Sequence, residues 1–175
     1  MPLPPLTSQQ RWHDYELGLV GFLPFVGSAI SAGLGQWRDT PHEWGQGGSA
    51  YGTRMASSFA QHAVQQTILA GTAALLAEDS RYVRSGLTGF RPRLKYALTG
   101  TVMARSRDGR RHVSWSKIGA LTGAAFLSRA WQPPSSARPQ SAGISMAAGL
   151  GVAAGLNVAH EFLPRLFRMG WLRLD

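Results

Sequence analysis

The chain contains no cysteine, and only 15% of its residues are charged. The first absence excludes disulfides, thiolate metal sites and thiol catalysis, because each of them needs a cysteine sulfur. The second is unusual, since charged residues make up about 25% of an average globular protein. Glycine replaces part of the missing charged residues and accounts for 21 of the 175 residues. A chain of this length is sufficient for one domain with its own core.

The start of the chain lacks the features of a signal peptide. Residues 1–8 contain three prolines but no basic segment followed by an apolar one. We therefore predict a flexible, proline-rich lead-in at 1–8. A single helical domain is expected at 9–175, with a basic insert at 81–117.

Motifs that carry catalysis or bind metals are also missing. The five histidines form no His-Glu-x-x-His motif and no pair at i and i+4, and the chain has no Gly-x-Ser-x-Gly elbow. We therefore predict no catalytic residue, no metal site and no cofactor, and expect that the protein is not an enzyme. The alternative is an enzyme whose fold gathers two carboxylates and two imidazoles: Glu78, Asp79, His62 and His160.

Positive charge is concentrated in the middle of the chain. The segment 81–117 holds ten of the 18 Lys and Arg residues and a single acid, so it carries the whole formal net charge of +9. This surplus indicates an anionic partner, which can be lipid headgroups, nucleic acid or an acidic protein. Arg81 and Arg84 are expected to pair with Glu78 and Asp79 at a helix end. We predict that seven other cations contact the anion or headgroup: Arg91, Arg93, Lys95, Arg105, Arg107, Arg110 and Arg111.

Uncharged segments of 21, 23 and 21 residues occupy 17–37, 55–77 and 140–160. Each has the length of a membrane-spanning helix, which needs about 20 residues. Pro24 and several glycines interrupt the first, so a kinked pair of short helices is as well supported there as one span. The uncharged run at 118–128 is too short to span alone.

These segments predict an all-α fold, a bundle of about four Gly/Ala-rich helices. One or two basic amphipathic helices, at 92–105 and 162–174, are expected beside it. The pattern also allows one short hairpin near 104–116, followed by a helix with Ser116 as its N-cap. Small residues at four-residue spacing predict close helix packing in the last two bundle helices: Gly119, Gly123, Gly143, Ala147, Gly151, Gly155 and Ala159.

Basic helices beside apolar segments favour a non-enzymatic helical membrane or envelope-associated protein, whose basic middle contacts anionic lipid headgroups or an acidic partner. Homo-oligomer formation is compatible with the same pattern. The positive-inside rule then predicts a cytoplasmic position for 81–117. The alternative is a soluble, basic, helical nucleic-acid-binding protein, and the mean hydropathy of −0.10 leaves a soluble bundle open. No helix-turn-helix, RNP or zinc-finger pattern accompanies the charge, so nucleic acid is the less favoured partner.

Two short segments resemble an uncharacterised family of helical bacterial proteins that are predicted to be envelope-associated. They are Glu43-Trp44-Gly45-Gln46-Gly47 and Glu78-Asp79-Ser80-Arg81-Tyr82, and the likeness extends over roughly residues 7–168, including Asp108-Gly109-Arg110. The chain departs from the family at Ser80, where proline is usual, and at Arg129, where asparagine is usual. The resemblance implies a location in the bacterial envelope and brings no assigned activity.

Overall fold

The computed structural model describes residues 6–106 and 109–163. In these ranges the chain is mostly helical, which confirms the all-α prediction. The helices are α1 (Ser8–Val20), α2 (Phe22–Trp37), α3 (Gly48–Leu75), α4 (Phe90–Thr99), α5 (Trp115–Leu127) and α6 (Pro139–Phe162). Short 3-10 helices lie at His42–Trp44 and Ser128–Ala130, and the strands are β1 (Met103–Arg105) and β2 (Arg111–Val113). The amphipathic helix predicted at 162–174 lies outside the described residues from 164 onward.

The first uncharged segment forms two helices rather than one. Thr7 begins α1 with a capping box, in which its backbone N–H donates to Gln10 Oε1 at 2.9 Å and Gln10 N–H donates to Thr7 Oγ1 at 3.2 Å. Gly21 then takes an extended conformation between α1 and α2. Pro24 lies in the first turn of α2, where a missing N–H costs no helical hydrogen bond. The kinked-pair interpretation is therefore the one the structure adopts.

The bundle has four helical passes, formed by α1 with α2, by α3, by α5 and by α6. Each pass runs antiparallel to the one before it in the chain. At one end of the bundle, Arg11 of α1 bonds to the carbonyl of Ala73 near the end of α3. At the other end, Gln36 of α2 bonds to Gly47, just before α3. α5 returns along α3 and α6 along α5. We call the end with the start of α1, the end of α3, α4, the hairpin and the end of α6 the basic end, and the opposite one the far end.

The hairpin predicted near 104–116 is present. β1 and β2 pair antiparallel, with Ala104 opposite His112, and a further bridge joins Arg105 to Asp79 after α3. Residues 107 and 108, between the two strands, lie outside the described residues. The N-cap of α5 is Ser114, which accepts the Lys117 N–H at 3.1 Å, so the prediction of Ser116 is wrong by two positions. The Ser116 hydroxyl bonds instead to Glu78.

The packing is inverted relative to that of a soluble bundle. The buried hydrophobic side chains are all alanines, and the other buried side chains include serines, Arg54, Glu78 and Glu161. Over residues 6–106 and 109–163, no Leu, Ile, Val, Phe, Met or Trp is fully buried. Large apolar side chains point outward instead, as Trp37, Leu75 and Ile144 do with 79%, 86% and 71% of their surface exposed. A water-soluble core normally buries these residue types first.

Two helical segments are long and apolar enough to cross a membrane. They are Ser8–Trp37, with 30 residues across the α1–α2 kink, and Pro139–Phe162, with 24 residues. Only 11% and 6% of their most apolar windows are buried within the bundle. A core helix of a soluble protein passes the same test of length and composition, but its window is mostly buried.

The small-residue ridge of α6 faces away from the other helices of the chain. A Cβ atom would meet no other atom within 4 Å at Gly143, Gly151 or Gly155, and the same holds at Gly119. These glycines therefore do not make the intrachain helix contacts predicted for them, and Ala147 is exposed as well. Four-residue spacing identifies a stripe on a helix, but it does not tell which stripe meets a neighbour.

Close helix contacts use a different set of small residues. A Cβ on Gly123 would lie 2.8 Å from Ile68 Cδ1, so this predicted packing residue does lie against α3. A Cβ on Gly149 would likewise lie 2.7 Å from Leu121 Cδ1, and Ala142 is fully buried. The inward stripe of α6 thus contains Ala142 and Gly149, while Ala159 is half-buried near its end.

Candidate membrane interface

A buried carboxylate, Glu78, joins α3 to the start of α5. Only 2% of Glu78 is exposed. It accepts hydrogen bonds from the Ser114 hydroxyl at 2.8 Å, from the Ser116 hydroxyl and from the Ser116 N–H at 3.2 Å. His112 Nε2 lies 3.2 Å from its other oxygen. The salt bridge predicted from Glu78 to the neighbouring arginines is therefore replaced by serine donors.

These contacts shift the acidity of Glu78 and Asp79. Burial opposes ionisation of Glu78, but the hydrogen bonds from Ser116 and Ser114 outweigh it and hold its pKa below the ordinary value. The pKa of Asp79 is also lowered, because two bonds from Arg81 at 3.0 and 2.8 Å overcome its burial. The Asp79–Arg81 pair confirms one of the salt bridges expected at this helix end.

A second buried carboxylate, Glu161, closes the end of α6. It is 1% exposed and accepts from the Ser85 hydroxyl at 2.6 Å, the Ser85 N–H at 3.0 Å and the Tyr82 hydroxyl at 2.9 Å. Arg93 Nε donates to it at 3.0 Å, and the Arg93 guanidinium also bonds to the Glu161 carbonyl. The irregular segment between α3 and α4 is thereby fixed to α6.

Six of the seven predicted anion-contacting residues lie in the described part of the chain. Arg91 and Lys95 are exposed at the basic end, as is Arg84 nearby, and Arg110 is exposed but also makes a contact of its own. The other three make contacts within the protein: Arg93 binds Glu161, Arg105 donates to the Tyr96 hydroxyl at 2.9 Å, and Arg111 stacks 4.1 Å from the Tyr96 ring centre. Arg107 lies outside the described residues. Sequence reasoning missed this division, because the partner of Arg93 is 68 positions away.

The helix break at Gly21 exposes a backbone carbonyl inside the bundle, and α3 supplies its partners. The Gly18 carbonyl oxygen lies 2.7 Å from His62 Nε2 and 3.3 Å from Gln66 Nε2. A carbonyl left without a partner in an apolar environment costs several kcal/mol. His62 and Gln66, in the middle of α3, therefore face a partner helix.

The far end carries fewer charges and is held by Arg54. This arginine is 4% exposed and donates to the Thr40 carbonyl at 3.0 Å, the Pro41 carbonyl at 2.9 Å and Gln36 Oε1 at 2.8 Å. Its guanidinium lies 3.8 Å from Asp39. At the same end, the Ser135 hydroxyl donates a hydrogen bond to Glu43 Oε2 at 2.7 Å.

Each of the four residues of the alternative enzyme site makes a different contact within the protein. Glu78 bonds to serines, Asp79 to Arg81 and His62 to the Gly18 carbonyl. The His160 ring lies 5.4 Å from that of Tyr82. No group of three or more metal-ligating side chains occurs in the part of the chain that the structure describes.

Comparison of the chain with protein families, with curated proteins and with solved structures finds no match. The resemblance to an envelope-associated family therefore stays a prediction. The arguments that follow depend on this chain's own contacts.

Proposed function

We propose that this chain is a non-enzymatic helical membrane protein of the bacterial envelope, whose basic end contacts anionic lipid headgroups. The observation that carries the proposal is the inverted packing. Lipid tails are as apolar as leucine, so membrane helices gain nothing by hiding large apolar residues from them. They associate instead through small side chains and hydrogen bonds, and this bundle uses alanines, serines and buried carboxylates.

Ser8–Trp37 and Pro139–Phe162 are the membrane-spanning segments in this proposal. α3, with 28 residues, is about 40 Å long and runs beside them. α5, with 13 residues, is shorter than the apolar core of a bilayer, which is about 30 Å thick. Glu78 and Lys117, just outside α3 and in the first turn of α5, then lie at the headgroup level.

The exposed cations of the basic end supply the contact with lipid. Arg84, Arg91 and Lys95 lie at this end, and each Lys or Arg near an anionic leaflet contributes about 1 kcal/mol. At the far end the exposed cations Arg38 and Arg138 are matched in number by the exposed acids Asp39 and Glu43. The positive-inside rule then orients the basic end toward the cytoplasm.

Extraction tests the membrane assignment. The full chain is expressed in bacteria, and the membranes are washed at low salt, at high salt and at alkaline pH. We expect the protein to stay in the pellet through all three washes and to require detergent for release. Recovery in the soluble fraction at low salt without detergent would overturn the proposal, and release by high salt alone would indicate a peripheral protein or a nucleic-acid complex.

The lack of cysteine makes the orientation directly measurable. Three single-cysteine variants, Arg84→Cys, Arg38→Cys and Ile144→Cys, place a thiol at the basic end, at the far end and on the outward face of α6. With a membrane-impermeant maleimide, Arg84→Cys should react only in inverted vesicles and Arg38→Cys only from outside. Ile144→Cys should react only after detergent is added. Equal labelling of all three in intact membranes contradicts the assignment.

A further inference from the structure

A cavity of about 480 Å³ lies between α1, α3, α5 and α6 near the basic end. Its volume is within the range of about 300–1,000 Å³ that is usual for small-molecule sites. Its apolar lining includes the half-buried Leu69, Leu121 and Met146 and the more exposed Leu150 and Leu156. The rest of the lining is largely polar, and we call this part the mouth. A cavity with one apolar and one polar part matches a ligand with the same division.

The mouth contains two cations that lack a carboxylate partner. Arg11 donates to the carbonyls of Glu78 at 3.1 Å and Ala73 at 3.5 Å. Lys117 Nζ donates to the carbonyls of Gly100 at 2.9 Å and Met103 at 2.8 Å. Neither forms an ion pair within residues 6–106 and 109–163. Burial and the nearby Arg111 guanidinium lower the pKa of Lys117 to about 8, although Asp79 and Glu78 act in the opposite direction.

The two carboxylates of the lining, Glu78 and Asp14, match these cations in number but form no ion pair with them in the described residues. Arg81 is paired with Asp79 at 2.8 Å, and Glu78 accepts bonds from two serine hydroxyls and two backbone N–H groups. The mouth also presents Asn157 and Tyr82, which can donate hydrogen bonds to oxygen atoms.

We propose that this cavity binds one anionic single-chain amphiphile, with its alkyl chain among the leucines and its carboxylate or phosphate between Arg11 and Lys117. The chain requirement follows from the apolar part of the lining, and the charge requirement follows from two cations that have no carboxylate within ion-pair distance in the described residues. Such a ligand would be a free fatty acid or a lysophospholipid. This site is separate from the exposed cations that meet the bilayer surface, and it does not require the bundle to be embedded.

Competition binding tests the proposal. The full chain is placed in nanodiscs of zwitterionic phosphatidylcholine, or in buffer if it proves soluble, and titrated with a fluorescent fatty acid. Palmitate and lysophosphatidic acid should each displace the probe, and the stronger of the two identifies the headgroup. Hexadecanol, which has a similar chain and no charge, should compete about tenfold less well. Equal competition by hexadecanol, or no saturable binding of the probe, overturns the proposal.

Matched variants separate the chain from the headgroup. Ala153 lines the cavity, whereas Ala148 on the same helix is exposed. Ala153→Phe should abolish binding, and Ala148→Phe should leave it unchanged. Lys117→Met should weaken palmitate about tenfold without affecting hexadecanol, while Lys95→Met, at an exposed lysine, should affect neither. Circular dichroism confirms that each variant is folded. Equal effects of the two phenylalanine variants, or of the two methionine variants, would contradict the site.

Discussion

Arg93 Nε lies 3.0 Å from Glu161 Oε1, and this ion pair joins the first half of α4 to the last turn of α6. Arg93 also lies over the Phe162 ring, with its guanidinium carbon 4.4 Å from the ring centre. A residue predicted from its charge to meet an anionic ligand therefore meets an anion of its own chain. The pair fixes the position from which the neighbouring Arg91 and Lys95 reach outward.

The first prediction concerns this pair. Glu161→Gln should lower the free energy of unfolding by about 3 kcal/mol, because Arg93 then keeps a partly buried charge without its carboxylate. Arg93→Met should lower the free energy of unfolding by a similar amount, because the buried Glu161 carboxylate then lacks its cation. Arg91→Met, on the exposed side of the same helix, should change stability by less than about 0.5 kcal/mol. Unfolding in non-ionic detergent, followed by circular dichroism, measures all three. Equal stability of the Arg93 and Arg91 variants would show that the pair is not a structural contact.

The second prediction is a pH dependence that arises from Glu78. Burial opposes its ionisation, but hydrogen bonds hold its pKa below 4.5 in the folded state, so the unfolded chain takes up this proton first as the pH falls. The stabilisation is complete above pH 4.5 and is lost as the pH falls through the folded pKa. Asp79 acts in the same direction.

Glu78→Gln should therefore flatten the acid side of the stability profile and leave the part due to Asp79. At neutral pH it should cost about 2 kcal/mol, since hydrogen bonds to a charged acceptor are lost. Glu16→Gln, at an exposed glutamate of α1, is the matched control and should leave the profile unchanged. Thermal unfolding between pH 3 and pH 7 provides the measurement. An unchanged profile for Glu78→Gln would show that the Glu78 carboxylate does not cause the pH dependence of stability.

The third prediction concerns lipid selectivity at the basic end. Combined Arg84→Gln, Arg91→Gln and Lys95→Gln substitutions should reduce the preference for anionic over zwitterionic lipid, by about fivefold per cation. Native mass spectrometry can count the lipids that stay bound after release from mixed nanodiscs of phosphatidylglycerol and phosphatidylcholine. Arg38→Gln with Arg138→Gln, at exposed arginines of the far end, should retain the preference. Equal losses in the two variants would show that the basic end has no special role.

The sequence predicted the helical class and left the hairpin and the kink in the first apolar segment open as alternatives, because all three depend on local signals. Glycine and proline lower helix propensity locally, which favours a break near Gly21 and Pro24, and Asp108-Gly109 is a turn signal. The local pattern could not predict which cations are engaged internally. Arg93 meets Glu161 and Ser116 meets Glu78 only after α3, α5 and α6 have been packed together.

The same limit explains the outward ridge of α6. Gly143, Gly151 and Gly155 have the four-residue spacing of a packing stripe, but Ala142 and Gly149 lie on an equally small stripe about one position away. Two small stripes on one helix cannot be ranked from spacing. The position of Leu121 on α5, which lies against Gly149, shows which one is used.

The last prediction addresses the carbonyl at the α1–α2 break. His62→Leu with Gln66→Leu removes both donors to the Gly18 carbonyl while keeping apolar side chains of similar length. Because the carbonyl then has no partner in the bundle interior, the free energy of unfolding should fall by about 2 kcal/mol. Amide hydrogen exchange should also become faster around Gly21, since the two helices lose the contact that fixes their kink. Gln61→Leu, also on α3, tests whether any polar-to-apolar change has this effect, and it should leave both stability and exchange near the parent values. Slow exchange in the double variant would mean that the kink is held by the backbone alone.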